Sequence, residues 1–174
     1  MTDQPTDTAA RLLRHCADLG WTLAAAESLT GGALTSALVA VPGASAVLRG
    51  GVVAYATDLK ATLLGVDPDL LARAGAVSDE TAAAMAQGVR RVAGADVGLA
   101  TTGVAGPDLQ EGKEPGRVHV AVATPDGVTT RRLDLRGDRS AVRGAAVEAA
   151  LALALRWARL PGPAAGHDGA ADGA

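Results

Sequence analysis

The sequence contains no phenylalanine, one tyrosine and two tryptophans, so aromatic side chains make up only 2% of its 174 residues. It also has a single cysteine, Cys16, which excludes an intramolecular disulfide and a cysteine metal cluster. No apolar run approaches the roughly 18 residues of a transmembrane helix. The N-terminal segment lacks the basic-then-apolar order of a signal peptide. We therefore expect a cytoplasmic protein that does not bind a membrane.

The net charge of the sequence is also small. The 16 basic and 19 acidic residues give a net charge of −3, without the basic excess of a protein that binds nucleic acid by its phosphates. With 48% hydrophobic residues, the chain can bury a core. We expect a loose N-terminus at residues 1–5, one domain at 6–160 and a disordered Gly/Ala/Pro tail at 161–174.

The chain is rich in small residues, with 40 alanines and 22 glycines, and its apolar periodicity alternates between helix and strand. The predicted helices are 6–19, 33–41, 57–65, 78–93 and 138–159, with one helical turn at 68–73. The predicted strands are 21–26, 48–55, 96–102, 117–124 and 128–135, the last two joined by a hairpin. This order indicates an α/β fold with a mixed, mainly parallel sheet that helices cover on both faces.

Three polar or glycine-rich segments directly follow predicted strands, at 27–32, 55–60 and 101–107. In open α/β sheets, ligands bind at the carboxyl ends of the strands. We therefore expect the three segments to meet at one sheet edge and to form a site there.

Ser28 lies in the first of these segments, where a strand turns into a helix. Two interpretations stay open from the residues alone: Ser28 is a nucleophile presented at the turn, or Ser28 or Thr30 caps the helix. Gly31 and Gly32 would let a ligand approach the backbone closely. The sequence has neither the GxSxG motif of α/β-hydrolases nor a phosphate-binding P-loop.

A serine nucleophile needs a base, and the histidines are poorly placed for that role: one is on the first helix, one is within a strand and one is in the tail. The remaining candidates are the two lysines, Lys60 and Lys113. Lys60 falls in the first turn of a helix, where the helix dipole and any burial would lower its pKa. The alternative is an exposed lysine beside Asp58. Lys113 lies in a polar loop, where we expect it to be solvated.

Three further residues could assist the chemistry. Tyr55 is either a half-buried strand aromatic or a group that relays a proton between the serine and the lysine. Arg139 and Arg143 are four residues apart on the last helix, so they share a face that is either solvated or able to clamp a phosphate or carboxylate. We find no ligand spacing typical of a metal site, and expect no metal and no cofactor.

Four stretches of the sequence together resemble the CinA C-terminal domain family, which includes stand-alone nicotinamide mononucleotide deamidases. They are AESLTGG (26–32), GGVVAY (50–55) with Lys60 and LLGV (63–66), GAVS (75–78) and TGVAGP (102–107). The resemblance runs from about residue 8 to residue 160. It implies a three-layer α/β/α fold that assembles as a homodimer or higher oligomer.

The resemblance also implies an activity, the hydrolysis of the carboxamide of nicotinamide mononucleotide to the acid and ammonia, with a small nucleotide as substrate. By the same resemblance, Ser28 is the nucleophile, and Lys60 and Tyr55 assist it. Substrate contacts are then expected from the following residues: Thr30, Gly31, Gly32, Thr102, Gly103, Gly106, Arg139 and Arg143. Backbone N–H groups near Gly31 and Gly32, or near Gly103, would hold the oxyanion.

The sequence departs from the family pattern at three places: Leu29 stands where cysteine is common, Thr57 where asparagine is common, and Leu109-Gln110 where two glycines are common. These differences bear on substrate preference. Two alternatives therefore stay open beside the deamidase: a catalytically silent binding module linked to competence or DNA damage, and an amidase for another pyridine or nucleotide amide.

Overall fold

The structure is a computed structural model that describes residues 5–157. Six helices are present in this range: α1 (Pro5–Asp18), α2 (Ala33–Val39), α3 (Thr57–Leu64), α4 (Pro68–Ala74), α5 (Asp79–Ala93) and α6 (Arg139–Trp157). Five strands are β1 (Leu23–Glu27), β2 (Leu48–Val53), β3 (Val97–Gly103), β4 (Arg117–Thr124) and β5 (Gly127–Asp134). The predicted tail at 161–174 and residues 1–4 of the predicted loose N-terminus lie outside the described residues.

The strands form one mixed sheet in the order β2-β1-β3-β4-β5. Strand β1 pairs in parallel with both β2 and β3, whereas β4 is antiparallel to its two neighbours. Four of the five strands therefore run in the same direction. The predicted α/β class with a mixed, mainly parallel sheet is confirmed.

Helices cover both faces of the sheet, and the two faces carry side chains of different size. Alternate strand residues that face α1, α2 and α6 are, apart from Ala25, leucines and valines: Leu23, Val97, Leu99, Val118, Val120 and Val122. The residues that face α3 and α5 are alanines: Ala24, Ala26, Ala100, Ala121 and Ala123. Because side chains alternate along a strand, each face acquires its own packing layer. The result is the expected three-layer α/β/α arrangement.

Local sequence signals account for the starts of α5 and α6. The Ser78 side chain accepts a hydrogen bond from the Thr81 N–H and caps α5, and Asp138 accepts one from the Ala141 N–H at 2.8 Å, at the start of α6. Both caps were predicted and are confirmed. A 3-10 turn at Ala44–Ala46 was not predicted.

The start of β1 and the end of β2 differ from the prediction by two residues, whereas the end of β1 and both ends of β3 and β5 differ by one residue. Strand β1 begins at Leu23 instead of residue 21, because the N–H and hydroxyl of Thr22 both donate to the Asp96 carboxylate, at 2.8 and 2.9 Å. Strand β2 ends at Val53, so Tyr55 lies after the strand. Among residues 5–157, no helix combines the length and apolar character that crossing a membrane requires.

Helix α5 approaches α3 closely at Gly88. A methyl group at Gly88 would fall on the backbone carbonyl of Leu64, whereas one at Gly144 in α6 would meet open space. We expect Gly88→Ala to lower the free energy of unfolding by about 1–3 kcal/mol, since a backbone carbonyl cannot rotate away. Gly144→Ala should raise it by up to about 1 kcal/mol through helix propensity. Urea denaturation measures both, and equal stability of the two variants would contradict this packing.

Candidate active site

The three segments predicted to share a sheet edge do so. The chain leaves β1, β2 and β3 on the same side of the sheet, because these neighbouring strands are parallel. A cleft of about 350 Å³ opens at this edge. It is lined by Ser28, Leu29, Tyr55, Arg139 and residues 103–110. Its volume falls at the lower end of the range for small-molecule sites.

Ser28 follows the last residue of β1 and borders the cleft. Its N–H continues the sheet by donating to the Thr101 carbonyl at 3.0 Å, and its carbonyl accepts from the Gly31 N–H at 3.1 Å. The serine is therefore held between the end of a strand and a tight turn. Only 7% of its surface is exposed, and Ser28 is among the residues that line the cleft.

Lys60 is the direct partner of Ser28. Its Nζ lies 3.0 Å from Ser28 Oγ, 2.9 Å from the Ala54 carbonyl oxygen and 3.4 Å from that of Tyr55. A helical side chain points back toward the N-terminus of its helix, which brings this lysine from α3 to the end of β2. Its exposure is 1%. The interpretation as an exposed helix lysine is wrong.

Burial lowers the pKa of Lys60 from 10.5 to about 8, although the carboxylates of Glu111 and, to a smaller extent, Asp58 raise it. A neutral amine is therefore accessible near physiological pH. A neutral lysine has two N–H bonds and one lone pair. Since carbonyls can only accept, Ala54 and Tyr55 take the two N–H bonds, and the lone pair faces Ser28 Oγ. In this state the serine hydroxyl donates to Nζ, as general-base catalysis requires.

Tyr55 sits at the rim of the cleft and is 58% exposed. Its hydroxyl accepts a hydrogen bond from Arg139 at 2.9 Å, and its contact with Lys60 is through the backbone carbonyl. Arg139 also donates to the Gly106 carbonyl at 2.7 Å. Because Lys60 Nζ contacts Ser28 Oγ directly, a proton can pass between them without an intermediate group. A proton relay through Tyr55 stays a prediction.

The two arginines predicted to act together occupy different places. Arg139 lines the cleft, whereas Arg143 donates to the carbonyls of Leu29 and Thr30 at 3.0 and 2.7 Å. The Arg143 guanidinium thereby holds the turn that carries Ser28. A shared clamp of both side chains on one phosphate is not supported, because the second guanidinium is engaged with the backbone.

Two predicted substrate-binding threonines are buried and are not among the residues that line the cleft. The Thr30 hydroxyl is 2.7 Å from that of Thr101, and the Thr102 hydroxyl donates to the Ala76 carbonyl at 2.6 Å. Both residues are buried. Their contacts tie the loops around the site together, and substrate contact by either stays a prediction.

The predicted oxyanion donors at the glycine pair need correction. The Gly31 N–H donates to the Ser28 carbonyl, and the Gly32 N–H donates to the carboxylate of Glu27 at 2.9 Å. Both are therefore occupied. The Leu29 N–H has no acceptor among the described residues, and Leu29 borders the cleft. This N–H, next in the chain to the serine, is the better-placed donor.

Glu111 lies outside the cleft lining but influences Lys60 by its charge, and sequence reasoning missed it. Both carboxylate oxygens lie 3.0 Å from the Ala76 nitrogen, and one lies 3.2 Å from Lys113 Nζ. Burial opposes its ionisation, yet the hydrogen bonds from Ala76 and Lys113 hold the pKa of Glu111 below its usual value. Lys113 is thus paired and not simply solvated. No sequence spacing signals this contact, because it joins distant loops.

Other reactive residues lie outside the cleft. Cys16 is buried in the core, and burial, with a contribution from Asp96, raises the pKa of its thiol to about 11, so it is a packing residue. His119 lies within β4 and is 2.8 Å from Asp79. In residues 5–157, no group of three or more metal-ligating side chains comes together.

These features define an α/β protein with a buried serine–lysine pair at the carboxyl edge of its sheet. The model of the CinA C-terminal domain matches residues 5–157, and the chain belongs to that family. A CinA-like protein of Frankia casuarinae is 59% identical over 135 residues, which cover 78% of this chain and 31% of the relative. The chain spans about a third of the length of the curated relatives it matches.

Solved structures agree with the fold. A CinA superfamily protein from Enterobacter cloacae is 34% identical, with a TM-score of 0.88 over 91% of this chain and 94% of that one. A competence/damage inducible protein from Agrobacterium tumefaciens is 36% identical, with a TM-score of 0.82 over 87% and 95% of the two chains.

The charge environment of Lys60 predicts a shift in pH dependence. Since the Glu111 carboxylate raises the pKa of Lys60, Glu111→Gln should move the midpoint of Ser28 reactivity to lower pH. Asp58→Asn should move it in the same direction by less, and it leaves the loop around Glu111 intact. The measurement is the rate of Ser28 labelling by a fluorophosphonate between pH 5 and 10. A shift to higher pH in either variant would contradict the inference that these carboxylates raise the pKa of Lys60.

Proposed function

We propose that this domain is an amidohydrolase in which Ser28 attacks a carboxamide and Lys60 is the base. The observation that carries the proposal is the 3.0 Å contact between Lys60 Nζ and Ser28 Oγ at the border of the cleft. Burying a lysine is costly unless its charge is paired or lost. Among residues 5–157, no carboxylate forms an ion pair with Lys60.

In the first half-reaction, the neutral Lys60 takes the hydroxyl proton of Ser28 while Oγ bonds to the carboxamide carbon. The carbonyl oxygen becomes an oxyanion, which the Leu29 N–H stabilises. Removing one such donor costs roughly 3 kcal/mol in other enzymes. The Lys60 ammonium then gives its proton to the leaving nitrogen, the C–N bond breaks, and ammonia departs from an acyl-serine.

In the second half-reaction, water replaces ammonia. Lys60, neutral again, takes a proton from the water, whose oxygen bonds to the acyl carbon. The tetrahedral intermediate collapses by breaking the bond to Ser28 Oγ, which receives the proton back from Lys60. The products are the carboxylic acid and the restored enzyme. Each step uses the same serine and lysine, so no further ionisable group is needed.

The substrate that we propose is nicotinamide mononucleotide, converted to nicotinate mononucleotide. Family membership supports this class of substrate, and the rim of the cleft supports an anionic one. There, Arg139 presents a guanidinium beside the Tyr55 hydroxyl, a donor arrangement suited to phosphate. Leu109 and Gln110, which depart from the family pattern, also line the cleft and would set preference among related amides.

Some relatives bear names that refer to competence and damage, such as a competence-damage inducible protein of Bacillus subtilis. A silent binding module is therefore the competing proposal. It gives no reason to bury a lysine that forms no ion pair among residues 5–157 against a serine, whereas a hydrolase requires that arrangement. The buried pair favours the enzyme.

Ammonia release tests the function directly. The purified chain should release ammonium from nicotinamide mononucleotide faster than from nicotinamide riboside, nicotinamide or NAD. Faster release from another amide would change the substrate and keep the reaction. No release from any of them, together with a stable protein partner in a pull-down, would favour the binding module.

We expect Ser28→Ala to abolish ammonium release, because the covalent route needs the serine oxygen. Loss of a nucleophile lowers kcat by roughly three or more orders of magnitude. Ser36→Ala is the matched control, since Ser36 is an exposed serine of α2. A folded Ser28→Ala protein that keeps more than about a tenth of kcat would refute the nucleophile assignment.

Replacement of Lys60 separates a base from a simple positive charge. With a Lys60 pKa of about 8, wild-type kcat/KM should rise with pH and level off above that value. Lys60→Arg should be nearly as inactive as Lys60→Ala, because a guanidinium does not release its proton at working pH. Substantial activity of the arginine variant would reduce Lys60 to an electrostatic role. The search for a base would then return to Tyr55.

A further inference from the structure

Glu27, the residue before Ser28, has a side chain that the proposed mechanism does not use. It is fully buried at the end of β1. Among residues 5–157, no basic side chain forms an ion pair with it. Its carboxylate instead accepts four hydrogen bonds, from the N–H groups of Gly32 (2.9 Å), Leu34 (3.0 Å) and Thr35 (2.8 Å) and from the Thr35 hydroxyl (2.6 Å). All the donors belong to the start of α2.

Thr35 supplies two of these four bonds, both to the same carboxylate oxygen. The neighbouring strand leaves room for this side chain. Gly51 of β2 pairs with Ala25 of β1, and a Cβ at Gly51 would fall on the Thr35 hydroxyl. A glycine at this position of the strand is therefore required by the contact between Thr35 and Glu27.

The backbone of Glu27 connects the same residue to Lys60. Its carbonyl accepts from the Ala54 N–H at 2.8 Å, and the Ala54 carbonyl accepts from Lys60 Nζ at 2.9 Å. Glu27 thus connects two parts of the site. Its carboxylate bonds to the start of α2, which follows the turn that carries Ser28, and its backbone carbonyl bonds to Ala54, whose carbonyl binds Lys60 Nζ.

We propose that Glu27 and Thr35 are positioning residues, which hold Ser28 Oγ at bonding distance from Lys60 Nζ. This inference rests on the proposed serine–lysine chemistry. The network acts through geometry, because its side-chain hydrogen bonds end at the start of α2 and none of them reaches Lys60 Nζ. Loss of the network should therefore slow reaction at Ser28 without moving the pH midpoint. Misplacement of reacting atoms by about 1 Å can cost up to about a hundredfold in rate.

The test compares Thr35→Val, which keeps the shape and loses the hydroxyl, with Thr35→Ser, which keeps the hydroxyl. Thr62→Val is the matched control at an exposed threonine of α3. The readout is the second-order rate of Ser28 labelling by a fluorophosphonate across pH, with thermal unfolding measured in parallel. This probe reports on the serine whatever the natural substrate is.

We expect Thr35→Val to label about tenfold more slowly at an unchanged pH midpoint, with Thr35→Ser and Thr62→Val within about twofold of wild type. For nicotinamide mononucleotide, kcat should fall and KM should not. Labelling of folded Thr35→Val at the wild-type rate, or equal slowing of Thr35→Ser, would overturn the inference. So would a shifted midpoint.

Two further results keep the inference separate from the proposed function. Should Thr35→Val not fold, Glu27→Gln provides the same comparison, because its carboxamide NH2 would face N–H donors of α2. Wild-type labelling without hydrolysis of nicotinamide mononucleotide would refute the substrate and leave this inference standing on its labelling rates. Failure of wild type to label at Ser28 would overturn both.

Discussion

The burial of Lys60 against Ser28 is the interaction on which the rest of the site depends. The 3.0 Å contact with Ser28 Oγ and the two backbone carbonyls fill the hydrogen-bonding positions of Nζ. Desolvation brings the pKa of Lys60 down to about 8, which makes the neutral base available without a histidine. A lysine can reach this position because three parallel strands end at one edge, and α3 begins at Thr57, shortly after β2 ends at Val53.

The small side chains of the sequence make this arrangement compatible with a packed core. On the face toward α5, the strands present alanines such as Ala24, Ala26 and Ala100, and Gly98 lets the α5 backbone approach the sheet closely. The opposite face carries leucine and valine. A core with few aromatic residues therefore packs through close element contact on one face and through larger aliphatic side chains on the other.

Some polar groups around the cleft line it, and others form hydrogen bonds that stabilise the surrounding backbone. Glu27 occupies the N–H groups at the start of α2, and Arg143 binds the carbonyls of the serine turn. Among the described residues, Arg139 is the arginine that lines the cleft. Leu29, whose N–H has no acceptor in the same range, also borders it. A bound anion and an oxyanion therefore have separate donors available.

The sequence alone determined the element order, the α/β class and the shared strand edge, because periodicity and caps act over a few neighbouring residues. Their positions at a strand end and at a helix start made Ser28 and Lys60 candidates, and the resemblance to the family gave them their expected roles. The burial of Lys60, the charge effect of Glu111 on it and the bonds of Glu27 to the start of α2 became known from the folded structure. So did the separation of Arg139, which lines the cleft, from Arg143, which binds the serine turn. Those outcomes depend on where side chains point and on contacts such as Arg143 with Leu29, which join residues far apart in the chain. Local patterns carry no information about such contacts until the sheet brings the loops together.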